Sequence, residues 1–363
     1  MTHRLEFGRH LVRQGWEVLV ATRVNGDEHR ARIEAAGLRV VPMPVERGRL
    51  LAWRDARYLW RLFRLYRRER PTIVHHVAMK PVLYGSLAAL GCRRASVVNT
   101  LAGLGHLFTS ERKRVRLVRR AVLAVFRRCF ARERTRVILQ NAEDFALFRE
   151  FLGARAGNLR LVRGAGVDPA RHRVVAHGPR AEAVAVMASR LLRDKGVMDL
   201  IEAARRLRAG RVPLRVRIVG GTDPDNPTSL TTEELEALRS EGAVEFTGAR
   251  PDVAEIYAAA DVAVLPSYRE GLPRALIEAA ASGLPIVTTD TSGCREVVAH
   301  GENGLLVPVR DPGALAEALR TLALDPALRA RLGAAGRKRV EQEFSQAIVF
   351  AEIAAIYAEL ARA

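Results

Sequence analysis

The second half of the chain alternates short apolar runs with longer segments, and this alternation limits the possible folds more than any other feature. Five apolar runs have strand length: Val184–Ala188, Leu214–Val219, Val244–Thr247, Val262–Leu265 and Ile286–Thr289. The segments between them are long enough for helices, which is the usual connection between parallel strands. The pattern therefore predicts an α/β fold, with a doubly wound parallel sheet that has helices on both faces.

The first half shows the same alternation. Its predicted strands are Trp16–Ala21, Leu38–Val41, Ile73–Val77, Ser96–Asn99 and Val137–Leu139. An open α/β domain usually begins with a strand, whereas this chain begins with a predicted helix over Thr2–Gln14. We therefore expect that the first strand is absent or that the true start lies upstream of Met1.

A chain of 363 residues is long enough for two domains. The boundary is predicted where the composition changes, in the Gly-, Arg- and His-rich stretch over residues 159–183. We expect an N-terminal domain over residues 1–165 and a C-terminal domain over residues 166–345. A last helix, residues 346–363, is expected to pack back on the first domain.

The charge is large and unevenly distributed. The chain carries +19 overall, but residues 1–180 hold 37 Lys and Arg against 14 Asp and Glu, and the remainder is slightly acidic. An Arg-rich composition is typical of a GC-rich genome, but it does not explain the difference between the halves. The first half is therefore predicted to meet an anionic partner, such as a membrane surface, a lipid diphosphate or a nucleic acid.

Two predicted helices carry most of this excess, Arg54–Arg70 and Arg112–Arg134. Each has an apolar stripe on one face and arginines on the other. One interpretation is that they lie on an anionic membrane, with about 1 kcal/mol for each basic residue near the surface. The alternative is that the stripes face the domain core and the arginines are solvated.

Composition also bears on the compartment. Cys92, Cys129 and Cys294 are far apart and odd in number, so we expect no disulfide framework and no zinc site. No apolar run approaches the roughly 18 residues of a membrane span, and no secretory signal is evident. We expect a cytoplasmic protein, peripheral on the inner face of the membrane.

One stretch, Leu265–Gly283, combines a strand end, a tight turn and a helix start. Pro273 is suited to the first helical turn, and Arg274 to Ala281 are helical by composition. The first N–H groups of such a helix favour an anion. Glu270 and Glu278 are free to hold sugar hydroxyls, although two solvated glutamates would look the same in sequence.

Arg190 and Lys195 lie in the loop after the first strand of the second half. Two cations at this place can neutralise a diphosphate, with Arg as a planar fork and Lys as a point charge. In the first half, His75 and His76 point to opposite faces of a strand, so at most one meets a given pocket. The glycine loop before His106 is a weaker signal.

These motifs occur in a fixed order. They are Arg190 with Lys195-Gly196, Gly248-Ala249-Arg250, Glu270-Gly271-Leu272-Pro273, Glu278, Gly283-Leu284-Pro285 and Asn303-Gly304. The order resembles the retaining nucleotide-sugar glycosyltransferases of family 4 over residues 159–345, and more loosely over the first half through His75, Lys80-Pro81 and Gly103–Gly105. The resemblance implies a GT-B fold, with two Rossmann-like domains facing a cleft.

The most similar branch adds N-acetylgalactosamine or related sugars to polyprenyl-diphosphate-linked sugars. The resemblance implies that Arg190 and Lys195 hold the diphosphate of a UDP-sugar, that Glu270 binds sugar hydroxyls and that Glu278 binds the ribose. It further implies these substrate contacts: Gly271 and Leu272 through backbone N–H groups, Gly164 and Gly166 in the cleft, and His76 or His106 on the acceptor side. No cofactor or metal is expected, since the cations take the place of a metal clamp.

Other functions stay open. A GT-B nucleotide-sugar epimerase would need catalytic carboxylates and a histidine in a different arrangement. A truncated, inactive homologue that binds anions or membranes is favoured by the missing strand and disfavoured by the complete donor set. A nucleic-acid binder fits the charge, but no recognised binding motif accompanies it.

Overall fold

The computed structural model describes residues 2–24, 26–43, 52–92, 94–103, 113–175, 178 and 180–362. Residue contacts divide the chain into two units: residues 1–166 with 347–363, and residues 167–346. Each unit is an α/β structure built on parallel strands. Among the described residues, no helix has both the length and the apolar character that crossing a membrane requires.

Within the described ranges, unit 1 has six strands and six helices before the chain enters unit 2. In chain order they are α1 Thr2–Arg13, β1 Leu19–Thr22, α2 Asp27–Glu34, β2 Arg39–Pro42, α3 Ala52–Glu69, β3 Ile73–Val77, α4 Met79–Leu90, β4 Ser96–Leu101, α5 Lys113–Phe130, β5 Thr135–Leu139, α6 Ala142–Leu152 and β6 Leu159–Leu161. No described strand precedes α1.

Unit 2 continues the alternation. Its elements are β7 Ala183–Ala188, α7 Val197–Ala209, β8 Leu214–Val219, α8 Thr232–Glu241, β9 Glu245–Gly248, α9 Val253–Ala258, β10 Val262–Leu265, α10 Arg274–Ala281, β11 Ile286–Thr289, α11 Ser292–Val297, β12 Gly304–Val307, α12 Pro312–Leu324 and α13 Pro326–Arg339. A short π-helical turn, Val340–Phe344, then leads to the last helix, α14 Gln346–Arg362.

The first half was predicted to form a parallel sheet with helices on both faces. Its described strand pairs are all parallel, but they are divided between two sheets. Within the described residues β1 pairs with β2, while β3, β4, β5 and β6 form a separate four-stranded sheet. The two sheets still share apolar cores. Leu19 and Val41 pack against the cluster that contains Val74 and Val97, and helices cover both faces.

Two sets of helices cover the four-stranded sheet. On one face, α1 and α14 pack against Val98 and Ile138, with the rings of Phe7 and Phe350 5.2 Å apart. On the other face, α3 and α4 pack together in one cluster, and α4 and α5 pack together in the next. The helices α3, α4 and α5 therefore lie side by side.

The sheet of unit 2 has six parallel strands in the order β12-β11-β10-β7-β8-β9. Every residue of β10 and β11 is buried, as expected for central strands that have helices on both faces. Helix α7 faces this core with Leu200, Ile201, Ala204 and Leu207. Their spacing of one, three and three residues keeps them on one side of the helix.

Candidate functional site

The strand order of unit 2 produces a crevice at the carboxyl edge of its sheet. Strands β7 and β10 are neighbours, with Val262 opposite Ala185. From β7 the chain proceeds to β8 and β9 on one side, and from β10 it proceeds to β11 and β12 on the other. The loops after β7 and β10 therefore diverge, and ligands bind in α/β sheets at such a point of divergence.

Close contacts hold the first residues of these two loops together. The carbonyl of Asp194, in the loop after β7, accepts a hydrogen bond at 2.9 Å from the backbone N–H of Tyr268, in the loop after β10. The same carbonyl accepts a second bond, at 3.2 Å, from the hydroxyl of Ser267. Gly196 has φ +72°, and a Cβ on it would lie 2.0 Å from the carbonyl oxygen of Pro266. Only glycine permits this approach, so the β7 loop is fitted to the β10 loop.

Lys195 and Glu270, which the sequence placed in two separate motifs, are in direct contact. The Lys195 ammonium donates to Oε1 of Glu270 at 2.5 Å. Both side chains are largely buried, with 23% and 11% of their surface exposed. An ammonium has three donors, so Lys195 keeps N–H groups for a second anion while Glu270 holds it in place.

Arg190 lies in the same loop as Lys195 but has a different partner. Its guanidinium donates to Asp223, in the loop after β8. About half of the Arg190 side chain is exposed, so an incoming anion can reach it. The sequence analysis did not identify Asp223 as the partner of Arg190.

Glu278 lies on α10, two turns beyond Glu270. Its Oε1 accepts a hydrogen bond from Arg274 Nε at 2.7 Å, within the same helix. His172 lies nearby, and burial lowers the pKa of its imidazole, although the charge of Glu278 opposes that shift. A neutral His172 accordingly adds no positive charge beside Glu278.

The backbone around Gly271 is closely packed. A Cβ on Gly293, in α11, would lie 2.5 Å from the carbonyl oxygen of Glu270 and 2.6 Å from that of Gly271. Leu272 is partly buried against the core of unit 2. Pro273 directly precedes the first helical residue of α10 as its N-cap, next to the first turn as predicted. Helix α11 therefore packs directly against the turn that bears Glu270.

A second group of side chains near Lys195 was not predicted. The guanidinium carbon of Arg310 lies 4.7 Å from the ring centre of Tyr268, and the Asp199 carboxyl lies close enough to interact with Tyr268 and Arg310. Burial raises the pKa of Asp199, while Tyr268 and Arg310 oppose the shift. Because these residues lie far apart in sequence, only the strand order brings them together.

The remaining predicted residues belong to unit 1. Gly164 and Gly166 follow β6 and have φ +81° and +70°, a backbone region that favours glycine. His106 lies outside the described residues. His76 is buried in the core of unit 1, where one ring nitrogen contacts Tyr66 Oη at 2.8 Å and the other contacts Asn99 Oδ1 at 2.7 Å.

Both ring nitrogens of His76 are therefore occupied inside the core. An acceptor-side role for His76 or His106 stays a prediction. His75, on the opposite face of β3, is bonded to Tyr357 and Thr100, both at 2.7 Å. Each histidine thus links β3 to a neighbouring element of unit 1.

The burial of His76 predicts that unit 1 loses stability in acid. Burial lowers the pKa of His76 to about 4, against about 6.5 in an unfolded chain. The unfolded state then binds the proton more tightly, so stability is present above pH 6.5 and falls toward pH 4. We expect a loss of about 2 kcal/mol in the free energy of unfolding between pH 8 and pH 5 from this residue.

Urea unfolding at the two pH values measures this effect. A His76→Gln variant is expected to lose about 2 kcal/mol of the pH dependence. An identical pH dependence in His76→Gln and in the wild-type protein would contradict the assignment.

The site of unit 2 is suited to a ligand that is both anionic and rich in hydroxyls. Arg190 and Lys195 supply positive charge at the point where the loops diverge, and the N-terminus of α10 adds a partial positive charge. Glu270 and Glu278 supply carboxylate acceptors for hydroxyl groups. A nucleotide diphosphate that is linked to a sugar combines both features.

Comparison with known families agrees with this chemistry. Residues 172–339 match the family model described as "Glycosyl transferases group 1", and residues 2–165 match the "Glycosyl transferase 4-like domain". The two models together cover almost the whole chain, which therefore consists of a glycosyltransferase 4-like domain followed by a group 1 glycosyltransferase domain. Its architecture is the GT-B fold, with two Rossmann-like α/β domains.

The individual proteins that the chain resembles share only a low sequence identity with it. The chain is similar to N,N'-diacetylbacillosaminyl-diphospho-undecaprenol alpha-1,3-N-acetylgalactosaminyltransferase of Campylobacter jejuni, with 26% identity over 84% of this chain and 82% of that protein. Among solved structures, sucrose-phosphate synthase of Thermosynechococcus elongatus has a TM-score of 0.77 at 24% identity, over 98% of this chain and 92% of that one. Anabaena HepE in complex with UDP-glucose has a TM-score of 0.77 at 18% identity, over 99% and 95%.

Proposed function

We propose that this glycosyltransferase moves a sugar from a UDP-sugar to a polyprenyl-diphosphate-linked or other glycan acceptor, and that it retains the anomeric configuration. The observation that carries the proposal is the contact between Lys195 and Glu270, with Arg190 in the same loop. This contact brings a cation directly beside a carboxylate, which supports a site for a ligand that carries both a diphosphate and a sugar. The UDP and UDP-glucose complexes of Anabaena HepE support a nucleotide-sugar donor for this fold.

The expected chemistry follows from the charges. As the bond between the sugar and the diphosphate breaks, negative charge builds up on the departing phosphate, and Arg190 and Lys195 stabilise it. The cations take the place of a metal clamp, so we propose a metal-independent reaction. Glu270 orients the sugar through its hydroxyls, and Glu278 binds the ribose.

The acceptor is proposed from similarity and from charge. The Campylobacter jejuni relative is named for an acceptor that is linked to undecaprenol through a diphosphate. The excess of basic residues lies in the first half of this chain, which matches an acidic, lipid-linked acceptor. We propose that the donor sugar is an N-acetylhexosamine, that the product enters surface glycan synthesis, and that the protein works at the cytoplasmic face of the membrane.

Product analysis tests the reaction type. The purified chain is incubated with UDP-N-acetylhexosamines and a short-chain polyprenyl-diphosphate sugar in the presence of EDTA. We expect a product whose new linkage has the α-configuration of the donor, as read from the anomeric proton coupling by NMR. A β-linked product would contradict retention, and activity that requires an added divalent cation would contradict the metal-independent mechanism.

A further inference from the structure

Helix α3 presents an unusual stripe to solvent. Trp53, Arg57, Trp60 and Arg64 follow one another at spacings of four, three and four residues, so they lie on one face of the helix. Trp53 is 64% exposed and Trp60 is 55% exposed. Large aromatic side chains are seldom left so open to water unless a partner covers them.

The arginines of this stripe are not neutralised. Among the described residues, Arg57 and Arg64 form no ion pair with a carboxylate, and the guanidinium carbon of Arg64 lies 4.7 Å from the ring centre of Trp60. In unit 2, by contrast, many surface arginines have acidic partners, such as Arg205 with Glu241. The outer face of α3 therefore keeps its positive charge for a partner outside the chain.

The neighbouring helices extend this surface. Helix α5 exposes Leu117, with 70% of its surface open, next to Arg116 and near Arg120. Helix α4 lies between α3 and α5, and its sequence contains a single charged residue, Lys80. The outer sides of α3 and α5, here called the α3–α5 face, thus carry basic and exposed apolar groups, whereas α4 between them has no exposed residue.

We propose that the α3–α5 face docks on an anionic phospholipid bilayer, with Trp53 and Trp60 at the level of the headgroups. Tryptophan favours this depth because its ring is apolar and its N–H is polar. The arginines beside the rings bind lipid phosphate. The inference rests on the proposed function, because a lipid-linked acceptor requires the enzyme to work at a membrane.

A bilayer accounts for the stripe better than a nucleic acid does. A nucleic acid would be bound through the arginines, but the two tryptophans would need splayed bases on which to stack, and Leu117 would have no apolar partner. In a bilayer, a single flat boundary accepts apolar groups and cations together. Because the two tryptophans and the two arginines lie on one face of α3, all four side chains can meet such a boundary together.

Flotation with vesicles tests the proposal on the full chain. Vesicles of phosphatidylglycerol and phosphatidylcholine are mixed with the wild-type protein, with a Trp53→Ala/Trp60→Ala variant and with an Arg57→Glu/Arg64→Glu variant. We expect the first variant to bind about tenfold more weakly and the second about a hundredfold more weakly at low salt. An Arg208→Glu/Arg331→Glu variant is the charge-matched control, because both residues are exposed in unit 2, and it should bind more tightly than the α3 variant.

Tryptophan fluorescence with brominated lipids gives an independent readout. The chain has three tryptophans, and Trp16 packs against the core around α14. We expect quenching in Trp16→Phe, which keeps Trp53 and Trp60, and no quenching when those two are replaced by Phe. Equal quenching in both variants would overturn the proposal.

Two further outcomes separate this inference from the proposed function. A wild-type protein that ignores anionic vesicles at low salt, or that binds RNA instead, would overturn the docking surface. UDP-sugar binding is measured on the same preparations. Vesicle binding that depends on Trp53 and Trp60, in a protein that binds no UDP-sugar, would support the surface and count against the transferase.

Discussion

Replacing Lys195 with alanine is expected to lower kcat/KM for sugar transfer by about 10²- to 10³-fold, the usual cost of losing one donor that stabilises transition-state charge. The loss has two sources. The ammonium no longer neutralises the departing diphosphate, and Glu270 loses its partner at 2.5 Å in a largely buried position. Kinetics with saturating acceptor measure the effect.

A matched control separates this role from a general loss of charge. Lys338→Ala removes a lysine from an exposed position in the same unit and is expected to leave kcat/KM unchanged. Glu270→Gln keeps the volume of the side chain but removes its charge, and should also lower turnover. If Lys195→Ala turned over like Lys338→Ala, the assignment of the donor site would be wrong.

Replacing Gly196 with alanine is expected to destabilise unit 2 by about 2–4 kcal/mol, because it adds a clash to backbone strain. Its φ is +72°, and the new Cβ would lie 2.0 Å from the carbonyl oxygen of Pro266. The two loops must then move apart, so the contact between Lys195 and Glu270 should be lost as well. Urea unfolding and UDP titration measure the two consequences.

Gly242 provides the comparison, because it has nearly the same φ, +68°, and no atom within 4 Å of an added Cβ. Gly242→Ala should cost about 1–2 kcal/mol from backbone strain alone and should leave UDP binding intact. Equal destabilisation by the two substitutions would show that the approach of the loops is not what requires Gly196.

Several elements of unit 2 could be predicted to the residue. The strands β8, β10 and β11 and helix α10 begin and end where the sequence indicated, because short apolar runs are bounded there by Pro, Gly or Asp. Strand β12, Gly304–Val307, was seen only as part of a motif. Its four residues follow a turn and carry no alternation that would identify a strand.

The sequence indicated several residues of the candidate site, but it did not indicate which residues contact one another. Arg190 and Lys195 were recognised as cations of one loop, but their partners Asp223 and Glu270 lie 33 and 75 residues further along the chain. That pairing depends on the neighbours of β7 in the sheet, and local sequence does not specify them.

Unit 1 was predicted less completely. Alternation along β3 correctly indicated that His75 and His76 point to opposite faces, but it did not show that His76 is enclosed in the core. A parallel strand is covered on both sides, so neither face can be recognised as the one that meets solvent. The division of the strands between two sheets was also not foreseen.

We expect a UDP-sugar to bind where the loops after β7 and β10 diverge. Calorimetric titration of UDP-sugars into the wild-type chain, Arg190→Ala, Lys195→Ala and Lys338→Ala tests it most directly. We expect one site for each chain, with affinity reduced about tenfold or more in the first two variants and unchanged in Lys338→Ala. Wild-type binding that all three variants share, or no binding of any UDP-sugar, would contradict it.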